Sequence, residues 1–309
     1  MSDSLVKEME FAVEAAWQAG RSTLSYFQTG VRPEWKEDAT PVTVADREAE
    51  ETIRKLLAKA YPADGIVGEE FGNVRGTSGR RWLVDPIDGT KSFIQGVPLY
   101  GVLIGLEVGG EMVAGAAYMP ALDEMVCAAR GEGCWWNGRR ASVSSVASLA
   151  DACVCYTSSR SFSEHGKADT WEAVRAGARI SRGWGDCYGY LLVATGRADI
   201  MLDPVVNPWD CGPLPPILEE AGGTFTDWQG RRTVFGPDGF ATNGSLYDEL
   251  LPFLRDECRR GMRQSCIRWS NPWDGWLRMW FDPPNGIIAP TRLPPWLLIS
   301  SSPYFPAFW

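Results

Sequence analysis

Apolar positions over residues 4–28 recur at helical spacing (Leu5, Met9, Ala12, Val13, Ala16, Leu24, Phe27), which predicts an amphipathic helix ending near Gly30. A second helix is predicted over 43–59, with Ile53, Leu56 and Leu57 on its buried side and Asp46 in its first turn. The rhythm then changes. A short apolar strand at Gly65–Val67 runs into an acidic turn, Gly68-Glu69-Glu70, and a polar loop at 72–80 leads into the apolar run Trp82–Val84. Strand-like segments follow at Leu99–Leu106, Met112–Tyr118 and Met125–Ala129, the first two separated by Gly109-Gly110, and 131–142 reads as a turn-rich hairpin.

The second half begins near Asp151, with a strand at 152–157, a helix around 164–176, another at 186–197 and a strand at 198–202. Asp203-Pro204 and Asn207-Pro208 break the chain before Trp209-Asp210, and the helix after Asp210 ends at Ala221-Gly222-Gly223, where glycine supplies the left-handed cap. Pro215 and Pro216 lie inside that helix and are expected to delay or kink it. A further strand pair starts at Thr224–Asp227. Meanders mixed with helices predict a layered α/β fold in two halves, 1–150 and 151–258, rather than a repeating βαβ series.

Composition alters this picture at one end. Residues 259–309 hold six of the fifteen tryptophans and eight of the twenty-one prolines, with no Lys or Glu. Six arginines there face two aspartates, so the acidic surplus lies wholly in residues 1–258. Such Pro-broken, unpatterned sequence builds no core of its own and predicts a poorly ordered appendage, of the kind an altered reading frame produces. The overall charge of −9 argues against nucleic acid or an anionic membrane as partner. No signal-like or membrane-length apolar run is visible, and the eight cysteines form no Cys-x-x-Cys pair, so a cytoplasmic protein with reduced thiols is expected. One histidine, His165, leaves little room for multi-His zinc or Ser-His-Asp chemistry.

Candidate chemistry concentrates at Trp82-Leu83-Val84-Asp85-Pro86-Ile87-Asp88-Gly89-Thr90. A strand delivers two carboxylates three residues apart, Pro86 stiffens the path between them, and Gly89-Thr90 opens a short helix. Rigid paired carboxylates bind hard cations, and free N–H groups at a helix start bind phosphate. Asp46, Glu69 and Asp210 add carboxylates at the ends or first turns of predicted elements. Taken singly, each has an ordinary reading: Asp-Pro-x-Asp-Gly as a turn, Glu69-Glu70 as a solvated turn, Asp210 and Asp186 as helix N-caps, Asp203 before Pro204 as a turn residue.

Taken together these segments resemble the inositol monophosphatase superfamily of magnesium-dependent phosphatases. The resemblance rests on the Trp82–Thr90 motif, on Trp209-Asp210 followed by Glu220-Ala221-Gly222-Gly223, and on Gly68-Glu69-Glu70 and Asp46 in the expected order, over roughly residues 5–255. Gly89-Thr90-Lys91-Ser92-Phe93 with Gly96-x-Pro98, Gly185-Asp186-Cys187-Tyr188-Gly189-Tyr190 and Val193-Ala194-Thr195-Gly196-Arg197-Ala198 look most like the histidinol-phosphatase branch.

That likeness implies an αβαβα sandwich and two or three Mg²⁺ ions. Their ligands would be Glu69, Asp85, the Ile87 carbonyl, Asp88 and Asp210, with Asp85 shared. It implies water activated with help from Glu69, Thr90 and Asp46 for in-line attack, and phosphate held at Gly89 and Thr90. Asp186 and Asp203 would meet the cationic part of histidinol phosphate. Inositol monophosphate is the alternative substrate, a 3′-phosphonucleotide the next because of Lys91, and a non-catalytic interaction protein the alternative of a different class. A homodimer is implied by the family alone.

Overall fold

Trp82 and Val84 point to one face of a strand and Leu83 to the other, and all three are fully buried. A strand covered on both faces needs a layer on each side, and the architecture follows from that. The structure is a computed structural model that describes residues 4–37 and 40–255; the expectation for 259–309 lies outside the described residues. In chain order the first half runs α1 (Val6–Thr23), β1 (Glu34–Trp35), β2 (Pro41–Val42), α2 (Val44–Ala60), β3 (Gly65–Gly68), β4 (Gly72–Val74), β5 (Arg80–Asp88), α3 (Thr90–Ile94), β6 (Gly101–Val108), β7 (Glu111–Met119), β8 (Glu124–Ala129), β9 (Gly133–Trp136) and β10 (Arg139–Arg140). The second runs β11 (Cys153–Tyr156), α4 (Ser159–Glu164), α5 (Ala168–Gly177), β12 (Ile180–Arg182), α6 (Asp186–Ala194), β13 (Ile200–Asp203), α7 (Pro208–Cys211), α8 (Leu214–Glu220), β14 (Thr224–Thr226), β15 (Gly239–Thr242) and α9 (Tyr247–Leu254).

Strands β3 to β10 form one sheet in the order β10-β9-β8-β7-β6-β5-β3-β4, antiparallel apart from the parallel pair β3 and β5. A second sheet has the order β12-β11-β13-β15-β14, with β11 parallel to both of its neighbours. Three apolar layers bind them. Ala12, Ala15, Ala16 and Ala19 of α1, with Ala49, Ile53 and Leu57 of α2, cover Trp82, Val84, Val102 and Ile104 on the outer face of the first sheet. Leu83, Leu103 and Ala117 on its inner face meet Leu191 and Val193 of α6, Leu214 and Ile217 of α8, and Met201 and Ala241 of the second sheet. Val154, Ile200 and Phe240 on the far side of that sheet pack on Phe162, Trp171, Val174, Leu250 and Leu254. The result is helix, sheet, helix, sheet, helix. The period-two alternation along each buried strand selects which core each residue joins.

Three expectations change in detail. The 72–80 loop contains β4, an edge strand paired with β3. The helix expected at 164–176 is α5, which starts later, at Ala168, behind a separate helix α4 that closes before Gly166 in the left-handed region (φ 67°). The helix after Asp210 is two, but the break falls at Gly212-Pro213, after Asp210. Pro215 and Pro216 then occupy the first turn of α8, where a missing N–H has no helical partner to lose. Asp210 keeps a regular helical setting despite the prolines.

The middle layer is tight where α7 meets the first sheet. A Cβ on Gly105 of β6 would collide with the main chain of Gly212, and one on Gly115 of β7 would meet Pro213 Cβ at 2.6 Å. Backbone has nowhere to retreat in such a contact, so a side chain there pushes the α7–α8 corner off the sheet. Gly105→Ala is expected to cost about 1–3 kcal/mol through overpacking, read as a lower midpoint in urea or thermal unfolding. An unchanged midpoint would show the corner to be compliant.

Candidate functional site

Residues three apart on a regular strand point to opposite faces, yet Asp85 and Asp88 must converge if they are to share an ion. The strand solves this with a bulge. Asp85 pairs with Leu103 and Asp88 with Gly101, so three steps along β5 span two along β6. The extra residue re-aims the second carboxylate, and Pro86 sits at the bulge, where a central strand tolerates the loss of a ladder donor. The Ile87 N–H donates back to Asp85 Oδ1 at 3.0 Å, which fixes the turn.

Asp210 arrives from α7, where it is the third helical residue and not the N-cap; Asn207 is the cap, and its N–H donates to Asp210 Oδ2 at 2.8 Å. Asp46 holds the matching place in α2, accepting the Thr43 N–H at 2.8 Å and the Thr43 hydroxyl at 2.6 Å. Two reciprocal capping boxes therefore present both carboxylates from helix starts. Carboxylate oxygens of Asp85, Asp88 and Asp210 all lie within 4.8 Å of one another, the one such group of potential metal-ligating side chains among the described residues.

Glu69 lies beside Asp85 but is also engaged elsewhere, since Lys36 Nζ, from the β1–β2 hairpin, bonds Glu69 at 2.9 Å and Glu70 at 2.7 Å. The Thr90 hydroxyl donates to the Ile87 carbonyl at 3.1 Å and faces Asp46 Oδ1 at 3.4 Å. Gly89, with φ 84°, starts α3 in a conformation other residues resist, and a side chain there would press on Asp186 Oδ2 and the Leu99 carbonyl. The predicted metal, water-activating and phosphate residues thus gather at one place.

Asp186 and Asp203 lie across a cleft of about 420 Å³, lined also by Asp88, Asp210, Thr157, Tyr190 and Val205. Asp186 carries a left-handed backbone, φ 50°, at the start of α6; Gly185 is the N-cap, so the cap reading does not apply. Its N–H donates to the Thr157 hydroxyl at 2.8 Å, and the next N–H, of Cys187, donates to Asp88 Oδ2. Sequence reasoning missed Lys36, Thr157 and Tyr190. Lys36 had no motif around it, and Thr157 reaches the site only because β11 lies beside β13.

Electrostatics explains what this cluster lacks. Burial, then the carboxylates of Glu69, Asp88 and Asp210, push the Asp85 pKa well up; burial, Asp186 and Asp210 do the same for Asp88. Burial raises Asp210 to about 7 against the Asn207 N–H, and Asp203 to about 7 against Thr157. Asp46 rises to about 6 through burial, and Asp186 to about 6 through burial offset by Lys91. Like charges held together away from water need a cation or protons. Oxygen-only donors in this number suit a hard divalent ion, so the residues fit a metal.

Known proteins give the arrangement a context. The sequence model of the inositol monophosphatase family matches residues 5–258. A histidinol-phosphatase of Chlorobaculum parvum is 44% identical over 249 residues, covering 80% of this chain and 96% of that protein. An inositol-1-monophosphatase of Rhizobium meliloti is 35% identical, covering 71% and 84% respectively. Among solved structures, the extragenic suppressor protein suhB of Bartonella henselae superposes with a TM-score of 0.75 at 32% identity, covering 82% of this chain and 99% of that one. An inositol monophosphatase of Zymomonas mobilis gives 0.74 at 30% identity over 82% and 99%.

The raised acids make a pH prediction with a defined sign. A carboxyl whose folded pKa lies above its unfolded value binds more protons when folded, so stability falls as pH rises through the window from about 4 to about 7. With a chelator present, the melting temperature is expected to rise on acidification from about pH 8 to about pH 5.5. A divalent cation is expected to raise it at the alkaline end and flatten the profile. A chelated protein that melts lower on acidification throughout this window would contradict the uncompensated cluster.

Proposed function

The chain belongs to the inositol monophosphatase family, and from that premise we propose that it hydrolyses histidinol phosphate to histidinol with Mg²⁺ as cofactor. The carrying observation is that two acid groups meet at one cleft: Asp88 and Asp210, which cluster with Asp85 and suit cations, and on the same lining Asp186 and Asp203 for a positively charged leaving group. A phosphate ester bearing an amine and an imidazole complements both.

Glu69, Asp85, the Ile87 carbonyl, Asp88 and Asp210 would hold the ions. Bound Mg²⁺ supplies charge neutralisation and orients an in-line displacement. The chain does the rest. The Gly89 and Thr90 main-chain N–H groups take phosphate oxygens. The Thr90 hydroxyl, set between Asp46 and the Ile87 carbonyl, orients the attacking water, and Glu69 with Asp46 takes its proton. The Cys187 N–H holds Asp88 in place on the other side. The reading extends to a cytoplasmic homodimer in which residues 1–150 and 151–258 form one catalytic unit.

Comparing turnover of histidinol phosphate, inositol 1-phosphate and adenosine 3′,5′-bisphosphate with Mg²⁺ tests the substrate. Histidinol phosphate is expected to lead in kcat/KM, and equal, weak rates on all three would sink it. Asp88→Asn is expected to lower kcat by a factor on the order of 10³ or more, with its melting temperature retained; full activity in that variant would favour a non-catalytic role for the cluster. Truncation after Cys258 is expected to leave kcat and KM unchanged, and loss of activity would make residues 259–309 part of the working enzyme.

A further inference from the structure

A buried hydroxyl short of partners is a costly feature that a ligand can relieve. Tyr190 has one. It is almost wholly buried, it lines the cleft, and its hydroxyl meets only the Asp203 carboxylate, in a contact short of ordinary hydrogen-bond geometry; it is one of four such buried side-chain atoms among the described residues. The other three belong to Arg80, Trp136 and Thr226, none of which lines that cleft.

The surroundings are built to keep that hydroxyl open. Gly239 makes the room, because a Cβ at that position would collide with the hydroxyl oxygen, and Val206 lies 3.4 Å from the same Cβ position. The Asp203 carboxylate lies next to the hydroxyl, and Asp203 is already served by the hydroxyl and N–H of Thr157. That same Thr157 hydroxyl accepts the Asp186 N–H, so it ties the two acids together. The Tyr190 hydroxyl can donate only toward Asp203, which leaves its oxygen as an acceptor without a donor.

We propose that Tyr190 is a specificity residue whose hydroxyl contacts the polar end of the leaving group, accepting one N–H of a primary ammonium while Asp186 and Asp203 accept the others. The ammonium part rests on the histidinol phosphate reading above. The donor arithmetic supports it: an ammonium carries three N–H groups and no acceptor, and the cleft sets two carboxylates and one free hydroxyl oxygen around the same space.

The test is Tyr190→Phe in the full chain with Mg²⁺, measured on histidinol phosphate, inositol 1-phosphate and phenyl phosphate, whose leaving group has no such polar end. On the preferred ester of the first two, kcat/KM is expected to fall about tenfold, or about 1.4 kcal/mol, mainly through KM. Phenyl phosphate should be unaffected, and any change in the melting temperature of the ligand-free protein should reflect only the lost contact with Asp203. Equal losses on all esters, no loss on any, or a lower melting temperature with unchanged selectivity would each overturn the inference. The two readings part cleanly. Wild-type preference for inositol 1-phosphate defeats histidinol phosphate as substrate, whereas a selective loss on that ester in Tyr190→Phe still assigns the hydroxyl to the leaving group.

Discussion

Mutual repulsion among buried carboxylates is the constraint around which this molecule is arranged. Asp85, Asp88 and Asp210 come from a strand bulge and a helix start, and no ion pair is formed by any of them among the described residues; Lys36 is spent on Glu69 and Glu70. Left alone, such a group favours protonation, which the upward pKa shifts express. The fold tolerates it because the rest of the middle layer is apolar and densely packed. Leu83, Leu103, Leu191 and Leu214 bury beneath the same elements that carry the acids.

Much of this was legible in the residues. The strand, the Asp-Pro-Ile-Asp-Gly-Thr run and the two capping sequences Thr43-x-x-Asp46 and Asn207-x-x-Asp210 are local, and local patterns survive in a linear reading. The helical spacing of α1 and α2 likewise matched their buried faces. Less legible was anything needing a long-range pairing. The bulge exists only relative to β6, and Thr157 matters only because it abuts Asp186 and Asp203 from another strand. Pro215 and Pro216 signalled a delayed helix, and α8 does start late, at Leu214, but where the break falls was open for a related reason. Proline disfavours a helix interior, but whether a position is interior depends on where the helix starts, and Gly212-Pro213 moved that start.

The two corners that support Asp210 and Asp186 differ in how they are held. Asp210 leans on a backbone contact between Gly212 and Gly105, where there is no slack. Asp186 is held by a left-handed residue and a hydroxyl bridge, an arrangement with some backbone strain and a replaceable side-chain bond. The Asp210 corner is thus secured by a main-chain contact, and the Asp186 corner by a bond to a side-chain hydroxyl.

That division has an evolutionary consequence. The three clustered acids come from β5 and α7, whereas the rest of the cleft lining draws on β13, α6 and the residue after β11. Side chains can change on β13 without displacing the main-chain bond from Cys187 of α6 to Asp88, so on the proposed reading lineages can exchange one leaving group for another while keeping the acid cluster. Relatives named for different esters at 44% and 35% identity are what such a modular inheritance would leave behind.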